Sequence, residues 1–93
     1  MGEQKISYTD EEIFEKLKGI LEICCPDLDV NTVKPDSVIN RDLGIDSLNF
    51  VMIMVKVEAA FDIRVEDEEW DHLHTAQDVI DKVKEELAKK AEA

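Results

Sequence analysis

Apolar residues recur along the first third of the chain with a helical period. Ile13, Leu17, Ile20, Leu21 and Cys24 follow one another at spacings that place them on one helix face. Thr9 followed by Glu12 is a capping-box signature. Pro26 stops the run, because proline lacks the N–H that a helix interior needs. The spacing predicts a first helix from about Thr9 to Cys25. A last helix is predicted where Thr75 and Asp78 form a cap and Ala76, Val79, Ile80, Val83 and Leu87 share one stripe. Lys89 to Ala93 is expected to fray.

Between these helices the pattern changes twice. Asp27 to Ile45 carries two helix breakers, Pro35 and Gly44, and scattered Leu28, Val30, Val33, Val38 and Leu43. This predicts a long ordered loop pinned by those apolar residues. Val65 to Leu73 is short and acidic, and predicts one or two helical turns docked by Val65, Trp70 and Leu73. Phe61 to Val65 alternates like a strand but is too isolated to make a sheet. The expected fold class is all-α, a small bundle of three main helices plus one short helix.

The helix expected from Asp46 and Ser47 to Ala60 has an unusual distribution of side chains. At about 100° per residue, Phe50, Ile53, Met54, Val57 and Phe61 fall on one face. Leu48, Val51, Met52, Val55 and Ala59 fall on roughly the opposite face. A helix apolar all round is either buried on every side or keeps one face for a partner. A chain of 93 residues can hardly bury it completely. One stripe is therefore expected to face solvent and await a partner; the plainer reading is a central helix wrapped by the others.

Composition narrows the picture. The length predicts a single domain over 1–93, with an ordered core at about 8–89. The chain holds 23 acidic residues against 11 basic ones, for a net charge of -12. Such a field repels phosphate backbones and anionic membrane surfaces, and favours partners with basic patches. The most apolar run, Phe50 to Val55, is six residues long, far short of a membrane span. Met1-Gly2 is followed by Ile6 where myristoylation expects Ser or Thr, and no signal-peptide pattern is seen. A monomeric cytoplasmic protein is expected. Its adjacent Cys24 and Cys25 are then reduced and read as packing residues.

Most candidate chemistry fails on spacing. Asp27, Asp29 and Asn31 imitate the start of a calcium loop, but Thr32 and Val38 stand where Gly and Glu are required. His72 and His74 would diverge on a helix, and no metal site is expected. There is no triad-like set and no Gly-rich phosphate loop, so no catalytic residue and no enzyme is expected. Gly44-Ile45-Asp46-Ser47-Leu48 remains. It places a small residue, an acid, a hydroxyl and an apolar residue at a helix start. A phosphate attached to Ser47 would be favoured by the helix dipole. Gly44 would let another molecule approach the backbone. Taken alone, Asp-Ser is more often a plain cap.

Asp42-Leu43-Gly44-Ile45-Asp46-Ser47-Leu48 resembles the D-L-G-x-D-S-L motif of acyl carrier proteins. The similarity continues through Val51, Glu58, Phe61-Asp62-Ile63 and the acids Glu66 to Glu69, and resumes at Thr75 to Ile80. It covers about residues 8 to 89. The resemblance implies an acyl-carrier-like bundle with 4'-phosphopantetheine attached to Ser47 by a separate transferase. It implies that Asp46 helps to hold the magnesium of that transfer, with Gly44 and Leu48 completing the attachment motif. Acyl groups would be carried as thioesters on this arm and presented to enzymes of fatty acid, modified lipid or polyketide biosynthesis. Those enzymes would dock on the second helix, at Asn49, Met52, Val55, Lys56, Glu58 and Ala59. Residues 58–71, with seven acids and one base, would steer them in.

The chain departs from the family in four places. Asn49 follows D-S-L where an acid is usual, and Met52 replaces a common glutamate. Ala59 and Ala60 stand where acids are frequent, and Phe50 exceeds the small residue common at its position. These differences suggest a specialised carrier with dedicated partners, for a modified lipid, a polyketide or an amino acid; a housekeeping carrier stays equally open. Two other readings stay open: an aminoacyl carrier of the D-alanyl type, and an acidic helical adaptor that binds a basic partner through the second helix with Ser47 unmodified.

Overall fold

The computed structural model describes residues 8–92. Met1, Gly2 and Ile6, where the myristoylation pattern was weighed, lie outside them. The elements follow in the order α1 (Asp10–Cys24), a 3-10 turn (Val30–Thr32), α2 (Ser47–Phe61), α3 (Asp67–Trp70) and α4 (Ala76–Glu92). This is the expected all-α bundle of three main helices and one short one. Among the described residues there is no strand; Phe61 ends α2, Asp62 to Val65 is a connection, and Val38 and Thr75 form one isolated antiparallel bridge.

α1 begins as its capping box demands. Thr9 Oγ1 accepts from the Glu12 N–H at 3.1 Å, and Glu12 Oε1 accepts from the Thr9 N–H at 2.9 Å. At the other end the Cys25 N–H still reaches Leu21 O before Pro26 ends the ladder. α4 has the same device: Thr75 Oγ1 accepts from the Asp78 N–H, and Asp78 Oδ2 accepts from the N–H groups of His74 and Thr75.

α1 packs against both α2 and α4. Ile13, Met54, Val57, Val79, Ile80 and Val83 are the largest fully buried side chains and tie the three helices into one core. Fully burying an aliphatic side chain contributes about 1.5–3 kcal/mol, so this cluster dominates the stability.

α2 is not wrapped by the others. Ile53, Met54, Val57 and Phe61 face the core, while Leu48, Val51, Met52 and Val55 lie between 41% and 76% exposed. The helix ends at Asp62, whose φ of 54° is left-handed, a region that aspartate tolerates better than bulky residues. Lys90 Nζ donates to both Asp62 O and Asp62 Oδ2 at 2.9 Å. The last turns of α4 are thereby tied to the end of α2. Lys89 also pairs with Glu85 and Glu86, and helix continues to Glu92 where fraying was expected from Lys89. Ion pairs one turn apart offset the end effect.

The long loop is ordered, and more structured than its breakers suggest. Val33, Ile39 and Ile45 are buried, with Leu28, Val30 and Leu43 packed at the margin of the core. Three main-chain bonds fasten the loop to the start of α4: Ile39 N–H to His74 O at 2.8 Å, Ala76 N–H to Ser37 O at 3.1 Å and Gln77 N–H to Pro35 O at 2.7 Å. The Asp29 side chain accepts from the Asn31 N–H and opens the 3-10 turn. The calcium-like Asp-x-Asp-x-Asn is thus a turn signal.

Candidate functional site

Ser47 is the first residue of α2 and is exposed. The cap belongs to its neighbour: Asp46 Oδ1 accepts from the Asn49 N–H at 2.9 Å. The sequence left the cap shared between Asp46 and Ser47. The structure assigns it to Asp46 and leaves the Ser47 hydroxyl out of the helix's own bonding. Two residues ahead of Asp46, Gly44 has a φ of +68°. A Cβ there would meet nothing within 4 Å. Glycine suits this position through its backbone angle, and the space around it is open. The buried Ile45, 3% exposed, anchors the turn between Gly44 and the cap.

The start of α2 differs in charge from the starts of α1 and α3. The first turns of α1 and α3 each hold three acids, whereas the first turn of α2 holds none. The Asp46 carboxylate takes one of its N–H groups, and the positive dipole end favours negative charge there. The capping Asp46 carboxylate is exposed beside them, where it can meet a cation.

A cleft of about 310 Å³ opens next to Ser47. Ile39, Ile45, Phe50, Val51, Trp70 and Leu73 give it apolar walls, and Asn40, Asp46, Asp67, Asp71 and His74 give it a polar side. Phe50 and Trp70 meet edge to face, with ring centroids 6.3 Å apart. Trp70 Nε1 is buried and finds no acceptor among the described residues. Leaving such a donor unpaired costs about 1–3 kcal/mol.

Of the residues expected to meet partners, Met52, Val55, Lys56 and Ala59 are exposed along α2 and Asn49 is half-buried. Leu48 of the attachment motif is the most exposed large apolar residue of the stripe, at 76%. Glu58 differs. It is half-buried, and its Oε2 accepts from the Val65 N–H at 2.8 Å, so it braces the connection from α2 to α3. Sequence periodicity could not show this, because the bond spans a bend. Among the described residues no group of three or more His, Cys, Asp or Glu could hold a metal ion. Cys24 and Cys25 are free and half-buried. Burial, then the neighbouring Cys24 and the Asp46 charge, push the Cys25 thiol above its usual 9.0, which suits a packing role. No helix among the described residues is long and apolar enough to cross a membrane.

Comparison with known proteins bears on this arrangement directly. A family model described as phosphopantetheine attachment site matches residues 18–83. The acyl carrier protein of Chlorobium phaeobacteroides is 33% identical over 73 residues, covering 78% of this chain and 92% of that protein. The chain belongs to the acyl carrier protein family. The acyl carrier protein of Onion yellows phytoplasma is 32% identical over 68 residues, covering 73% of this chain and 88% of its own. The matched span of this carrier runs from within α1 to within α4 and includes the Ser47 turn. A phosphopantetheine prosthetic group belongs to the family.

Proposed function

We propose that Ser47 carries the phosphopantetheine, and that this carrier presents acyl groups to biosynthetic enzymes of lipid or polyketide pathways. The observation that supports it most strongly is the exposed Ser47 hydroxyl. It stands in a first helical turn without acids and takes no part in the cap, which Asp46 makes. When attached, the arm supplies a terminal thiol on which an acyl group is held as a thioester.

The chain's own residues present, orient and recruit. Ser47 Oγ forms the bond to phosphorus when a transferase brings coenzyme A, and the nucleotide portion leaves. Asp46 holds the helix end rigid through the Asn49 N–H and offers its exposed carboxylate to the magnesium of that transfer. Among the described residues no base is hydrogen-bonded to the Ser47 hydroxyl, so the transferase supplies the base. Leu48, Met52 and Val55 form the apolar contact, with Lys56 and Asn49 at its border. The acids of α3 attract partners with basic patches. Glu58 acts here through Val65 and not by direct contact. Dedicated partner enzymes suit this surface, since α2 is less acidic than the family pattern.

Intact mass after incubation with coenzyme A, magnesium and a broad-specificity phosphopantetheinyl transferase tests the assignment. One added arm on the native chain and none on Ser47→Ala is the expected result. Ser47→Ala should melt with the native chain, because Asp46 retains the cap. An arm on Ser47→Ala would overturn the site. No arm on a folded native chain would favour the adaptor reading.

A further inference from the structure

Two cavities on the Ser47 side of the bundle share part of their lining. The outer one is the cleft of about 310 Å³. The inner one lies within the bundle between Leu17, Leu21, Ile53 and Val79, and measures about 10 Å³. That is close to the space one water needs, and far too little for an alkyl chain. Two residues line both cavities, Ile39 and Phe50. They form the wall between them.

The two halves of this wall are held differently. Ile39 is fastened by its main chain: its N–H donates to His74 O at 2.8 Å, and its carbonyl accepts from the Ile45 N–H at 3.2 Å. Phe50 is held by its ring, which is half-buried and packed edge-on against Trp70. Of the two, Phe50 is the one placed by side-chain packing and not by main-chain bonds.

We propose that Phe50 sets the class of group this carrier holds, keeping the carried group in the cleft beside Ser47 and out of the bundle. This rests on the carrier reading of Ser47. An alkyl chain gains from leaving water in proportion to the apolar surface it buries. Here the apolar interior is closed, and the space that remains is polar on one side. The carrier thus suits short acyl groups that fit the cleft, and gives no burial to a long alkyl tail.

The test loads the native chain through Ser47 with acetyl, hexanoyl and decanoyl arms, alongside Phe50→Ala and the milder Phe50→Leu. Methyl resonances of Leu17, Leu21, Ile53 and Val79 and the melting temperature are followed. In the native chain both should be independent of acyl length. In Phe50→Ala the decanoyl form should shift the inner methyls and melt above its own acetyl form, with Phe50→Leu between. Inner methyls that shift with acyl length in the native chain overturn the proposal, and this arm needs no variant to fold. Inner methyls that stay still in a folded Phe50→Ala overturn it as well. Failure of loading shows separately as an unchanged intact mass and counts against Ser47 alone. Free decanol added to unloaded protein then tests the wall. Uptake by Phe50→Ala but not by the native chain supports it, and uptake by both overturns it.

Discussion

Replacing Glu58 separates a brace from a docking residue. Its Oε2 lies 2.8 Å from the Val65 N–H, and Val65 is 2% exposed. In Glu58→Ala that N–H loses its acceptor in a setting that water reaches poorly. Hydrogen bonds to charged groups contribute about 1.5–3 kcal/mol. Glu58 is half-buried, so the lower end, about 1.5 kcal/mol, is expected. A domain of this size loses about 4–8 °C of melting temperature per kcal/mol. Glu58→Ala should therefore melt about 6–12 °C below the native chain by circular dichroism at fixed salt. Glu58→Gln keeps an acceptor and should recover most of the loss. The Val65 amide should lose hydrogen-exchange protection in Glu58→Ala alone. A Glu58→Ala variant that melts with the native chain would refute the reasoning. So would Glu58→Gln falling as far as alanine, since the acceptor would then be irrelevant.

Two further outcomes follow from the same reading. Burial raises the Asp78 carboxyl, but the N–H groups of His74 and Thr75 outweigh it and hold the group below its ordinary 3.8. A depressed carboxyl stabilises the fold above its unfolded value, and the contribution is lost as pH falls through the lower folded value. The stability gap between the native chain and Asp78→Ala, from denaturant melts, should thus be full at neutral pH and close in acid below 3.8; a gap independent of pH would contradict the assignment. Met52 is 51% exposed in the middle of the apolar stripe. Met52→Glu should leave the melting temperature nearly unchanged and weaken binding of a native partner enzyme several-fold by calorimetry, and unchanged affinity would remove Met52 from the interface.

What the sequence made legible was largely local. Thr9 with Glu12, and Thr75 with Asp78, announce helix starts because the capping partners lie within one turn. The two faces of α2 were readable because a fixed period assigns every side chain a direction. The attachment turn was readable as an uninterrupted motif. What escaped depends on partners far apart in the chain. Ile39 and Ile45 share the burial of the long loop with Val33, yet they stand in a segment of helix breakers with no period to mark them. Lys90 is an unremarkable tail lysine until the fold brings Asp62 to it. Glu58 reads as one more acid on a helix until the chain turns back and delivers Val65. The contact of Phe50 with Trp70 joins α2 to α3 across the same bend.

The fastening of the long loop to α4 has a consequence for how this protein tolerates change. The bonds that set the loop run between main-chain groups at 35–39 and 74–77. Every residue except proline carries both groups. Pro35 takes part only as an acceptor, the one role open to it. Lys34, Asp36 and Asn40 are exposed on this segment, so their side chains can be exchanged while the three fastenings persist. The position of the serine turn is thereby insulated from much of the drift in the chain that leads to it. Proline at Ile39, Ala76 or Gln77 is the change this mounting does not absorb, because each of these residues donates one of the fastenings.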